Sequence, residues 1–259
     1  MWRIRLDTAA SLLALEVRDA DLLLASFYTL DASVFSLKQL PLPQVQNWWQ
    51  GLEDAQEGIL FLHGYGDRKI GQHKGIKAIA ADTGDVLWET SELAFYGFSA
   101  AGILAYPAAA PDTPFQELQL HTGRTLKTAV PQLQAAEEVS GFSNNRFSDT
   151  VFPALYLKGE PYYDDLKDFL KTQLNTEAVK GIEYAETEAA LVISYYEQEA
   201  GDTLKNYIAV FDLEGNLRLK EQLADGLSGI GSDTFFIFMH DLYFIRNKVL
   251  LEVHRLSAK

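Results

Sequence analysis

The stretch IAADTGDVLWE, Ile79 to Glu89, decides how this chain is read. An apolar run enters a short turn at Asp82-Thr83-Gly84 and leaves through Val86, Leu87 and Trp88. Glycine supplies the positive φ that a tight hairpin turn needs, so the stretch reads as two antiparallel strands. Three other stretches follow the same grammar. LQLHTGRTLK (Leu118 to Lys127) turns at Gly123, IAVFDLEGNLRLK (Ile208 to Lys220) turns at Gly215, and SFYTLDASVFSLKQL (Ser26 to Leu40) turns at Asp31-Ala32-Ser33.

The turn residues Ser33, Gly84, Gly123 and Gly215 are spaced 51, 39 and 92 residues apart. The widest interval spans two repeats, and Lys158-Gly159 in VFPALYLKGEPYYDD marks the missing turn. Four-stranded units at about 40–45 residues are the period of a β-propeller blade. The expectation is therefore an all-β chain: one β-propeller domain over residues 1–259, with about six four-stranded blades. Five and seven blades are the alternatives.

The segments between the markers fit the same grammar. GIEYAETEAALVISYYEQ (Gly181 to Gln198) reads as two strands turning near Glu186 to Glu188. DTFFIFMHDLYFIRNKVLLEVHRL (Asp233 to Leu256) reads as three strands, with turns near His240-Asp241 and Arg246-Asn247. That leaves the last blade one strand short. The isolated pattern MWRIRLD, with Trp2, Ile4 and Leu6 on one face, is expected to pair with residues 249–256 and close the ring. One segment departs from strand periodicity. DDLKDFLKTQLN (Asp164 to Asn175) puts Leu166, Phe169, Leu170 and Leu174 on one helical face. Asp164 and Asp165 favour its N-terminus, so it predicts a short helix covering apolar surface in the fourth, irregular blade.

Thr83, Gly84 and Trp88 resemble the end of the quinoprotein-like propeller repeat, in which a Thr-Gly pair is followed by Trp four residues after the Gly. Ala80 stands where that motif has an acid. The resemblance implies the fold, with Trp88 as a packing residue between blades, and no quinone. Through ALEVRD, NWWQGL and KGIKAIAADTGDVLWE, the chain is also similar to an uncharacterised bacterial family of domains of unknown function, which implies no activity.

Composition narrows the partners. Against 36 acidic side chains stand 22 Lys and Arg, for a formal charge of −14, and the basic residues form no stripe. Such a surface repels duplex phosphates and anionic membrane, so neither is expected as a partner. No cysteine is present, which rules out disulfides, thiolate metal sites and cysteine nucleophiles, and suits a cytosolic protein. Asp7, Glu16 and Arg18 interrupt the apolar N-terminal segment, so no signal peptide is expected there. LAFYGFSAAGILAYPAAAP (Leu93 to Pro111) is broken by Gly97, Gly102 and Pro107 and reads as a buried strand pair, not a membrane span. The expected form is a monomer.

Chemistry-bearing residues concentrate in LHGYGDRKIGQHKG, Leu62 to Gly75. His63, Tyr65, Asp67, Arg68 and His73 lie there among glycines that permit close backbone approach. The segment is expected to be a glycine-rich hairpin loop that holds no metal; in the alternative, His63, Asp67 and His73 would suit zinc with an open position for water. Glu16 and Arg18 share one side of a strand, placed for an ion pair or for a site with these residues. Trp48 and Trp49 point to opposite faces, and an exposed Trp49 would be a binding anchor. The chain contains no Gly-x-Ser-x-Gly elbow, and Ser228 is followed directly by Gly229. The reading is a binding or scaffold protein without a cofactor, taking a protein or small ligand. The alternative is a hydrolase or lyase built on His63, Asp67, His73 and Glu16.

Overall fold

The computed structural model describes residues 3–42, 47–69 and 71–256, and places them in two compact units, residues 1–148 and 149–259. The first unit holds three four-stranded antiparallel meanders. They are β1 (Arg3–Asp7), β2 (Leu12–Asp19), β3 (Leu24–Asp31) and β4 (Ser36–Gln39); then β5 (Gly51–Gln56), β6 (Ile59–Asp67), β7 (Gln72–Ala80) and β8 (Val86–Thr90); then β9 (Leu93–Phe98), β10 (Ile103–Pro107), β11 (Phe115–Leu118) and β12 (Thr125–Val130). In each, every strand pairs with its neighbour in sequence.

The Gly84 hairpin forms as read: the residue has φ 81°, its N–H donates to the Ala80 carbonyl at 2.9 Å, and Ile79 pairs with Val86. Trp88 packs against the Phe61–Leu118 core, and its indole N–H donates to the Leu120 carbonyl at 2.8 Å. A Cβ on Gly123 would lie 2.6 Å from the Trp88 ring, so the glycine of one repeat makes room for the tryptophan of another. Leu93–Phe98 and Ile103–Pro107 are the buried pair expected in that apolar segment. No helix among the described residues is long and apolar enough to cross a membrane.

The sequence reading missed helix α1 (Gln132–Arg146), in which only Ala135 is buried. Its last residue anchors it. The Arg146 guanidinium donates twice to Asp54, at 2.9 Å each, and also to the carbonyls of Leu6 and Ala55. It lies against the rings of Phe98 and Phe147 as well.

The second unit holds β13 (Thr150–Val151), β14 (Ala154–Leu157), α2 (Tyr163–Leu174), β15 (Val179–Glu186), β16 (Leu191–Gln198), β17 (Leu204–Phe211), β18 (Leu217–Leu227), β19 (Phe235–Phe238), β20 (Asp241–Arg246) and β21 (Leu250–Arg255). Strands β14 to β18 form one five-stranded antiparallel sheet. Helix α2 covers it through Leu166, Phe169, Leu170 and Leu174, as the periodicity predicts. The turns at 187–189, 239–240 and 247–248 also fall where expected.

Three expectations need correction. Among the described residues there are five sheets, not six. Lys158-Gly159 does turn, with Gly159 at φ 95°, but it leads toward α2 and does not join two strands of a separate blade. The strand missing beside 235–255 is Thr150–Val151, which pairs with Phe238 and Ile237. Arg3–Asp7 pairs instead with Leu12–Asp19 as the edge of its own meander, and β21 is the edge of its sheet. The nearer partner closes β1 with a four-residue turn, which costs less chain entropy than a pairing some 245 residues away. Trp2 lies outside the described residues.

Candidate metal centre

The centre begins with an irregularity in β5. Its pairing with β6 shifts register between Leu52 and Asp54, a β-bulge at Glu53. Leu52 and Ala55, three apart, consequently enter the same core cluster. Strict alternation cannot do that. The bulge frees two adjacent carboxylates to point away from this core. Asp54 takes the Arg146 guanidinium, and Glu53 meets two histidines.

His63 on β6 stands opposite Gly51, and His73 on β7 stands opposite Tyr65. Their rings stack with centroids 3.5 Å apart and planes 11° apart. Tyr65 is edge-on to both, at 5.1 and 5.7 Å. Both Nδ1 atoms converge on Glu53 Oε1, from His73 at 2.6 Å and from His63 at 3.0 Å. The other carboxylate oxygen lies 3.9 Å from Arg3 Nη1, and Arg5 Nε donates to the Glu53 carbonyl at 2.6 Å. Arg3 thus engages Oε2 and leaves Oε1 to the imidazoles. The His63 residue is only 2% exposed, and while its Nδ1 faces Glu53, its Nε2 is buried with no hydrogen-bond partner. A buried imidazole in that condition is rare and calls for a ligand or a structural cause.

Burial alone would raise the Glu53 carboxyl, but the hydrogen bonds and charges of His63 and His73 outweigh it and hold the group at about 2. Burial lowers His63, against the opposing pull of Glu53. The Glu53 carboxyl titrates at 4.5 when unperturbed, so its ionised form is favoured in the folded protein. The resulting stability, roughly 3 kcal/mol, is fully present above pH ~4.5 and is lost as the pH falls toward 2. Glu53→Gln is expected to remove this part of the acid dependence. All four tryptophans belong to residues 1–148, so urea unfolding between pH 5 and 2.5, followed by their fluorescence with a chelator present, reads it. Parallel pH profiles for the two proteins would refute it.

The other residues singled out in the sequence surround this cluster. Trp49 packs edge-on against Tyr65 at 6.0 Å, and the Arg68 guanidinium lies 4.3 Å from the Trp49 centroid. Asp67 is not in the cluster; its carboxylate accepts the Lys69 N–H at 2.8 Å and caps the β6–β7 turn. Glu16 and Arg18 do share a side and pair with each other. Glu16 accepts the Leu52 N–H at 2.7 Å, while Arg18 donates to the Trp48 and Gln50 carbonyls at 2.9 and 2.8 Å. That pair fixes the entry to β5 and hence the placement of Gly51 and Glu53. The residue that sequence reading missed is Glu53. Its signal was the broken alternation of GLEDAQ, with Leu and Ala three apart.

Residues 6–88, which include Glu53, His63 and His73, match a family model described as a domain of unknown function, DUF4905. No curated protein matches the sequence. Among solved structures, the chain is similar to an oligogalacturonate lyase in complex with manganese, at 12% identity and a TM-score of 0.27, covering 99% of this chain and 76% of that one. It is similar to the same degree to an endo-arabinase from Bacteroides thetaiotaomicron: 12% identity and a TM-score of 0.27, over 99% of this chain and 93% of that one. Similarity this low transfers nothing of either protein's activity.

Proposed function

We propose that this protein binds a divalent transition-metal ion through Glu53, His63 and His73. The observation that carries the reading is the convergence of two imidazole Nδ1 atoms on one carboxylate oxygen, one of them from a buried ring whose Nε2 has no hydrogen-bond partner. Two imidazoles and a carboxylate suit zinc, whose sites with three protein ligands keep a fourth position open. Tetrahedral zinc would hold its ligand atoms about 3.3 Å apart, so the present 2.6 and 3.0 Å separations describe a hydrogen-bonded, proton-occupied cluster. Zinc would replace that proton, and binding would release it. The four-strand meanders support reading the sheets as propeller blades.

A second reading rests on a pocket of about 550 Å³ that opens beside His63 and includes Tyr65, Lys74, Lys77 and Glu89. An ion with an open position there would have room for water and substrate, as a hydrolase or lyase requires. Calorimetric titration with zinc at neutral pH, in two buffers of different ionisation enthalpy, tests the metal itself. One site with proton release is expected, and it should be absent from the His63→Ala, His73→Ala double variant. No heat above background, or the same heat in the double variant, would sink both readings.

A further inference from the structure

The second unit contains a different candidate. Between α2 and the face formed by β14, β15 and β16 lies a pocket of about 400 Å³. Four of its lining residues are aromatic: Tyr156, Tyr162, Phe169 and Tyr184. Asp165 is the one charged residue among the lining, and no Lys or Arg joins it. The Tyr184 hydroxyl donates to Glu186 at 2.7 Å, which adds a second carboxylate near this wall.

Tyr162 gives the pocket an exposed aromatic wall. It precedes α2 with φ 69° and ψ −11°, the left-handed region that bulky side chains rarely occupy. Burial does not offset that strain, because Tyr162 is 66% exposed. Its ring instead stands steeply inclined to that of Tyr156, with centroids 6.0 Å apart and planes at 74°. Two rings so steeply inclined form adjacent walls of a box.

We propose that this pocket binds a small quaternary ammonium compound. Aromatic faces carry negative quadrupole density and attract a cation lodged among them. A primary ammonium or guanidinium is best held by several carboxylate or carbonyl acceptors around it, and Asp165 is the one carboxylate among the lining. A trimethylammonium group needs none, because its charge is sheathed in methyls that suit Leu166, Leu191 and Ile193. Asp165 supplies the opposite charge. The ligand is defined by its chemistry: one permanent positive charge on a compact apolar head.

Choline chloride is the probe, and 3,3-dimethyl-1-butanol, its neutral carbon analogue, is the control. Both are titrated into the full chain at constant ionic strength with a chelator present, followed by proton NMR. Saturable choline binding is expected, with nuclear Overhauser contacts between its methyls and tyrosine ring protons. The analogue should bind at least about tenfold more weakly. Tyr162→Ala should weaken choline roughly tenfold with the unfolding temperature unchanged, and Asp165→Asn severalfold with only the small stability loss of one charge at a helix N-terminus, because both residues are exposed. Equal binding of the neutral analogue would make this a plain apolar cleft. Undiminished choline binding by Tyr162→Ala, or no saturation below about 100 mM choline, would equally overturn the proposal.

Discussion

Arg146→Ala is expected to destabilise residues 1–148 by about 3–5 kcal/mol and to lower their unfolding temperature by on the order of 10 °C. The Arg146 side chain is 3% exposed and its Asp54 partner 21%. Removing the guanidinium strands a carboxylate in a poorly hydrated place and leaves the Leu6 and Ala55 carbonyls without that donor. Breaking one partner of such a pair costs far more than removing both. Asp54→Ala combined with Arg146→Ala should therefore cost less than Arg146→Ala alone. Arg146→Lys should rescue little, because an ammonium cannot reproduce two parallel bonds to a carboxylate. Urea unfolding followed by tryptophan fluorescence measures all three variants. A loss below about 1 kcal/mol for Arg146→Ala would show that α1 is held by apolar packing and not by this anchor.

The same pair explains why part of the fold was illegible in the sequence. The Gly84, Gly123 and Gly215 hairpins could be read because each carries its geometry locally, in a glycine with φ of 66–84° between apolar runs. Helix α1 carries no such signal. Its segment QLQAAEEVSGFSNNR buries one alanine, contains Gly141 and has no side-chain cap. What holds it is Val139 filling the space left by Gly97, and Arg146 reaching Asp54 92 residues away. Helix α2 could be read because four apolar residues recur at helical spacing. The two-residue strand Thr150–Val151 is too short for any periodicity to show.

The site was half legible for a related reason. His63 and His73 stood out as titratable groups among glycines, and their strands do bring them together. Sequence proximity points to a carboxylate within the same hairpin, Asp67, and strand alternation to Glu16. Glu53 arrives from the neighbouring strand through a bulge, and a bulge is a property of pairing that a single strand's composition shows only as a broken alternation. Asp67 sits where an Asp is useful for a different purpose, accepting a backbone N–H two residues on in a turn.

Gly51→Ala is expected to weaken zinc binding by on the order of 100-fold with the strands still formed. A Cβ at Gly51 would lie 2.5 Å from His63 Cε1 and 2.6 Å from Nε2, closer than real contacts allow. Gly51 lies outside the left-handed backbone region, so alanine adds no torsional strain and the whole effect passes through the imidazole. That ring has little freedom to yield. His73 is stacked on it at 3.5 Å, Tyr65 stands edge-on at 5.1 Å, and the residue is almost fully buried. Any displacement that relieves the clash turns Nδ1 away from Glu53 Oε1, and a three-ligand site becomes a two-ligand one. Calorimetry with zinc reads the affinity, and circular dichroism reads the fold. If Gly51→Ala folds and binds zinc as tightly as the parent chain, His63 is not a ligand. The cluster would then be an ion-paired core feature, holding β5, β6 and β7 together through one carboxylate.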